Sequence, residues 1–212
     1  MSVDDALGAA TSREGFIEQE FHAGRDLRGD ATTQPTTPDD VVVFWQDAGR
    51  KLWFAKDANF DRRFRQSFLQ THEAATRGEL DGWLATPTGA LALILLLDQF
   101  PRNAFRGTPR MYASDAQARA AADRAIVAGH DLKVSRELRG FYYLPFGHSE
   151  DIADQDRSVE LIRRLDEAHA PLAERHRDII KHFGRFPHRN PILGRAMTAE
   201  EQHFLDQGGF AG

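Results

Sequence analysis

From Asp39 onward, the apolar residues of this chain recur every three or four positions. Val41, Phe44, Trp45, Ala48 and Leu52 follow i, i+3, i+4, i+7 and i+11. That spacing puts one stripe along a helix, whereas a strand needs strict alternation. Phe60, Phe64 and Phe68 repeat at i, i+4 and i+8 on a second helix that should end near Gly78. A third helix, from about Thr88 to Phe100, carries the run Ala90 to Leu97, ALALILLL. It is apolar nearly all round, which predicts a central, buried element. The run is far short of the roughly 20 residues of a membrane span. No segment reads convincingly as a strand, so the expected class is all-α.

Start and stop signals extend the pattern. Ser114 and Gln117 form a capping-box pattern before an alanine-rich helix closing at Gly129. Its face (Ala118, Ala121, Ala122, Ala125 and Ile126) is small enough to let a neighbouring helix come close. Ser135 starts a short helix that should end before Pro145. Ser149 reads as the N-cap of the next, with Glu150 and Asp151 behind it. Pro171 sits in the first turn of another, with face Leu172, His176, Ile179 and Phe183 and a stop at Gly184. Thr198 and Glu201 form a second capping box. Helices of roughly 12–20 residues with short connections predict antiparallel hairpins. Residues 1–38 differ, with scattered glycines and the linker-like DATTQPTTPDD. They read as an N-terminal extension, with a short helix from Glu14 to Ala23, and 39–212 as the helical domain.

Composition removes several function classes. The 212 residues are 41% hydrophobic and 28% charged, with net charge −5, which argues against a nucleic-acid partner. There is no cysteine, so disulfides, thiolate metal sites and thiol nucleophiles are excluded. The start MSVDDALGAA has no basic-then-apolar run and does not read as a secretory signal. A cytoplasmic protein without a membrane partner is the expectation. A P-loop, a dinucleotide fingerprint and G-x-S-x-G are missing from the sequence.

Two polar segments interrupt the apolar helices and echo each other. Asp98-Gln99-Phe100-Pro101-Arg102-Asn103 continues to Arg106 and Arg110. Gly184-Arg185-Phe186-Pro187-His188-Arg189-Asn190 continues to Arg195. In each, a helix should end, Phe-Pro follows, and a basic residue and Asn come next. Between Gly184 and Thr198 there are three arginines and one histidine, and no acid. Arginines can grip a phosphate or carboxylate bidentately. They can equally complement helix C-termini, with proline as stop and Asn in a left-handed turn. A third segment, Pro145 to Glu150, places His148 and Glu150 at a helix start. Those two could serve as base and orienter or as metal ligands, or Ser149 and Glu150 could simply cap the helix. Two such residues do not make a metal site, and neither metal nor cofactor is expected. His169, His176 and His182 are spaced by 7 and 6 and so do not share one face.

Taken together, DQFPRN (98–103), Asp115 at a helix start, LPFGHSE (144–150), GRFPHRN (184–190) and LGR followed by an EE pair (193–201) resemble a bacterial domain-of-unknown-function family, number 924. The resemblance spans about Val41 to Leu205. It implies a fold similar to tetratricopeptide-like helical hairpins, and it implies no established activity.

The expected site is a pocket in which Asp98, Arg102, His148, Glu150, Arg185, His188 and Arg189 converge. Arg102, Arg185 and Arg189 would supply charge, Asn103 and Asn190 would shape the turns, and Asp98 and Glu150 would orient the arginines. The leading reading is binding of a small anionic ligand or an acidic peptide end. A second is a hydrolase or transferase with His148 or His188 as general base and Glu150 as a further candidate. A third is a purely structural polar network. A homodimer is a further alternative, since the alanine face suits a second subunit as well as internal packing.

Overall fold

The computed structural model describes residues 35–211, and the helix expected over Glu14 to Ala23 lies outside them. Among the described residues every regular element is helical, as the apolar period requires. No helix among them is long and apolar enough to cross a membrane.

Helix α1 (Pro38–Trp53) opens on a capping box. The Asp40 carboxylate accepts from the Thr37 N–H at 2.8 Å, and Pro38 takes the first helical position, where its missing N–H costs nothing. Gly49, at φ 67° and ψ 170°, breaks the helix before its last turn. The break lets Trp53 return over Trp45: its indole N–H donates to the Trp45 carbonyl at 2.6 Å and the rings stack at 6.1 Å. Helix α2 (Ala58–Thr76) is capped by Asp57, and its Phe60, Phe64 and Phe68 are buried. Phe64 packs 5.3 Å from Phe44 and 5.4 Å from Trp45 of α1.

The third helix differs from its expected end at Phe100. It runs as α3 (Pro87–Ile94), a π-helical stretch Leu95–Gln99, and α4 (Phe100–Ala104). Pro101 therefore lies inside a continuous helical run. Proline removes one intrahelical bond, and its ring pushes on the carbonyl four residues back. The π turn absorbs this, with the Phe100 N–H reaching Leu95 O. The displaced carbonyls find other donors: His72 Nδ1 donates to Leu96 O at 2.9 Å and Ser114 Oγ to Leu97 O at 2.6 Å. Ser114 is thus spent on the bulge and does not cap α5 (Asp115–Val127). Gln117, its supposed partner, donates to Thr76 O at 2.8 Å. The alanine face of α5 is buried against α3, which is apolar on all sides.

Helix α6 (Arg136–Arg139) leads through a 3₁₀ turn, Gly140–Tyr142, into α7 (Leu144–Gly147). Pro145 sits at the start of α7 and opens a turn instead of closing one. Helix α8 (Ile152–Leu165) is capped by Asp151, two residues later than expected; its carboxylate accepts from Ala153 N at 2.8 Å. Ser149 Oγ accepts from Asp151 N–H, and Glu150 is left free for another role. A 3₁₀ turn, Glu167–His169, joins α8 to α9 (Ala170–Phe183), and the two helices pack together. The buried face of α9 is Ala173, Ile179 and Ile180, while Leu172 is 52% exposed. Gly184 ends α9 at φ 70°. A 3₁₀ turn (Pro187–Arg189), α10 (Asn190–Leu193) and α11 (Ala199–Asp206) follow. The Thr198–Glu201 capping box is present as expected. Ile179, Ile180 and Phe186 form a second small core with Phe183 and Phe204.

Candidate functional site

The π turn presents Asp98 inward, where its side chain is 1% exposed. A buried carboxylate needs partners, and three groups supply them. His148 Nδ1 lies 2.8 Å from Oδ1, Gln99 Nε2 donates to Oδ2 at 2.7 Å, and Arg102 Nη1 stands 3.1 Å from Oδ1. Burial alone would raise the Asp98 pKa, but the charge of Arg102 and the bond to His148 hold it well below the ordinary carboxylate range. An ionised Asp98 can only accept, so the proton of His148 sits on Nδ1 and its Nε2 carries a lone pair. Burial and nearby Arg102 push the His148 pKa down, so the ring is neutral at pH 7. Its Nε2 has no hydrogen-bond partner among the described residues, and the carbonyl of His148 accepts from Arg189 Nη2 at 2.9 Å.

Behind the dyad the charges balance. Arg102 donates to Asp115 at 2.8 Å and to the Asp98 carbonyl at 2.8 Å. Arg189 lies 3.5 Å from the other Asp115 oxygen, with its guanidinium carbon 4.5 Å from the centre of the Tyr112 ring and 4.7 Å from that of Phe186. Asp98 and Asp115 thus answer Arg102 and Arg189, leaving no net charge for an incoming anion.

His148 lies in the wall between two concavities and lines both. One is an open, shallow depression of about 550 Å³ that also touches Tyr112, Asp115, Glu150 and Arg189. The other is a half-enclosed cleft of about 570 Å³ among α1, α6, α7, α8 and α9. Its lining is mostly apolar, including Trp53, Phe141, Leu144 and Ile162. Ser158, His176 and His148 also line it. Gly147 permits this arrangement, since a Cβ there would stand 3.0 Å from Ser158 Oγ. His176 is pushed down to about 4, first by burial and then by His148 and Arg189.

The other expected residues stand apart from the dyad. Glu150 binds Arg195 through both oxygens, at 2.7 and 2.9 Å, and accepts from the Phe186 N–H at 2.8 Å. Arg195 Nε donates to Asn190 Oδ1 at 2.8 Å. Arg185 pairs with Glu201 at 2.6 and 2.9 Å, away from Asp98 and His148. His188 packs 5.6 Å from Phe186 and 5.1 Å from Phe210, its pKa lowered to about 4 by burial and Arg189. The Asn residues do not make left-handed turns. Asn190 is right-handed at φ −56°, and Asn103 lies within α4, donating to Gln99 O at 2.8 Å. The left-handed positions belong to Gly184 and Gly194. Glycine takes them because it lacks the Cβ that strains other residues there.

So the structure joins Asp98, Arg102, His148 and Arg189 in one network. It ties Glu150 to Arg195 and sets Arg185 apart. Asp115, in a first helical turn, looks in sequence like ordinary dipole matching, and Tyr112 and Ser158 carry no motif. The apolar spacing of Trp53, Phe141 and Ile162 marks core, not cleft. Among the described residues no three His, Asp or Glu side chains come together as a metal site.

The sequence model of a family described as "Bacterial protein of unknown function (DUF924)" matches residues 41–209. The chain is similar to a solved structure described as a protein of unknown function, ATU0120, from Agrobacterium tumefaciens. The two are 55% identical, with a TM-score of 0.79 over 81% of this chain and 97% of that one. No curated protein matches the chain.

Proposed function

The chain belongs to the DUF924 family of bacterial proteins of unknown function, and we propose, from its own geometry, that it is a hydrolase or transferase in which His148 acts as general base. The observation that carries this reading is the state of His148. One ring nitrogen is pinned at 2.8 Å to a buried carboxylate, and the other has no partner among the described residues, beside an apolar cleft.

The chemistry follows from the pair. His148 Nε2 takes a proton from water or a substrate hydroxyl, and the freed oxygen attacks an acyl carbon. The imidazolium that forms is stabilised by Asp98, and it returns the proton to the leaving oxygen as the acyl C–O bond breaks. A base neutral at pH 7 is ready without prior deprotonation. His188 supports the alternative assignment less well, because its neighbours are aromatic rings and a repelling Arg189. An arginine grip on an anion is also less well supported, since Arg102 and Arg185 each have a carboxylate within 2.8 Å and Arg189 has Asp115 at 3.5 Å. Glu150–Arg195 and Arg185–Glu201 read best as locks that hold the C-terminal turns.

Hydrolysis of p-nitrophenyl alkanoates tests the assignment. His148→Ala should cut the rate by about 10²–10⁴-fold and Asp98→Asn strongly, while Arg185→Ala leaves it within twofold or so. Turnover by His148→Ala equal to wild type would sink the proposal.

A further inference from the structure

The cleft beside His148 divides by chemistry as well as by shape. Its inner lining is buried and apolar, with Trp53 at 5% and Phe141 at 3% exposed, and their rings meet edge to face at 5.0 Å. Aliphatic side chains from α7, α8 and α9 (Leu144, Ile162, Leu165 and Leu172) continue the wall. The charged lining residues Arg50, Arg136 and Glu137 are exposed, and Asp166, half-exposed and paired with His169 at 3.0 Å, stands with them at the rim. The polar groups of the inner lining are uncharged: the Ser158 hydroxyl and the His148 and His176 rings. The formal charges behind His148, Asp98 and Arg102, are already paired with each other.

A charged head group carried inward would lose its hydration and find no free counter-charge. A neutral carbonyl would lose far less, because the Ser158 hydroxyl can donate one hydrogen bond to it. An apolar chain attached to that carbonyl would cover the wall, and about 570 Å³ lies within the range of small-molecule sites. We infer that the ligand of this cleft is an uncharged acyl compound, an apolar chain ending in an ester-type or amide-type carbonyl, with the carbonyl beside His148 and Ser158. This deepens the reading above and rests on its choice of the cleft beside His148 as the site.

Binding can be read without turnover, using primary alkanamides of four to ten carbons in calorimetry against the full chain. Alkanoates and alkylammonium ions of matched length serve as charged controls. The dissociation constant of the amides should fall by about fourfold per added methylene until the cleft is full, as burial of about 0.8 kcal/mol per CH₂ requires. The charged series should bind at least tenfold more weakly, and Ile162→Glu should abolish amide binding while the far-UV spectrum stays helical. Equal or tighter binding of either charged series, or no amide binding at any length, overturns the inference. Amide binding that survives His148→Gln, together with hydrolysis that does not depend on His148, would support the ligand class and overturn the general-base reading alone.

Discussion

Two segments of this molecule carry the pattern Phe-Pro, basic residue, Asn, and they are built in opposite ways. In residues 98–103 the pattern lies inside a helical run, where Pro101 is accommodated by a π turn that points Asp98 into the protein. In residues 184–190 it follows a left-handed glycine, and Pro187 opens a 3₁₀ turn. The first segment contributes a buried carboxylate that fixes a histidine. The second contributes Arg185, paired on Glu201, the Phe186 N–H and carbonyl, which meet Glu150 and Arg195, and Arg189, which reaches Asp115. A proline in a helix strains the backbone and creates carbonyls that need donors. A proline in a turn does neither. The difference teaches that the same punctuation can either end an element or bend it into a site, depending on what lies nearby to satisfy the displaced backbone. Here His72 and Ser114 do so.

The contrast predicts unequal sensitivities. Asp98→Ala leaves Arg102 buried with one partner fewer and His148 without its orienter. It should cost about 3–5 kcal/mol in urea unfolding, the range for breaking a buried ion pair. Glu150→Ala strips Arg195 and the Phe186 N–H at a half-buried position, and about 1–3 kcal/mol is expected. Equal losses would erase the distinction between a buried centre and a peripheral lock.

The smallest effect concerns pH. His176 and His188 are each lowered to about 4 from 6.5, and His148 shifts the same way. Below pH 6.5 the unfolded chain takes up protons that the folded His176 and His188 rings refuse until about pH 4. Stability therefore falls as pH drops from 6.5 to 4, by about 1–2 kcal/mol at pH 5 for each of His176 and His188. Glu201, lowered from 4.5 to about 2, and Asp98 keep their contribution while the pH stays above about 4.5 and lose it progressively in stronger acid. Thermal unfolding of wild type and His188→Gln between pH 7 and 4.5 should show a shallower slope for the variant.

Much of this was legible beforehand. The apolar stripe of α1, the Phe60–Phe64–Phe68 ladder, the buried run Ala90–Leu97 and the Thr198–Glu201 cap all follow from local spacing, and each is present. Local spacing failed where a distant partner decided the outcome. Ser114 looks like a cap until Leu97 offers a carbonyl, and Ser149 and Glu150 look like capping residues until Asp151 takes the cap and Arg195 pairs with Glu150. Pairing of Asp98 with His148, 50 residues away, leaves no trace in a single sequence. The cleft is invisible for a related reason: a residue lining a cavity and one filling a core have the same hydrophobic period.

The central claim is that burial and Arg102 keep His148 neutral while Asp98 fixes its proton on Nδ1, leaving Nε2 unprotonated. Long-range proton–nitrogen correlation of the histidine rings at pH 7 reads this directly. In wild type, the His148 Nε2 resonance should fall at the unprotonated position and Nδ1 at the protonated one, with the ring titrating below 6.5. Asp98→Asn should lose that tautomer preference. A His148 protonated on Nε2, or doubly protonated at pH 7, would contradict the account.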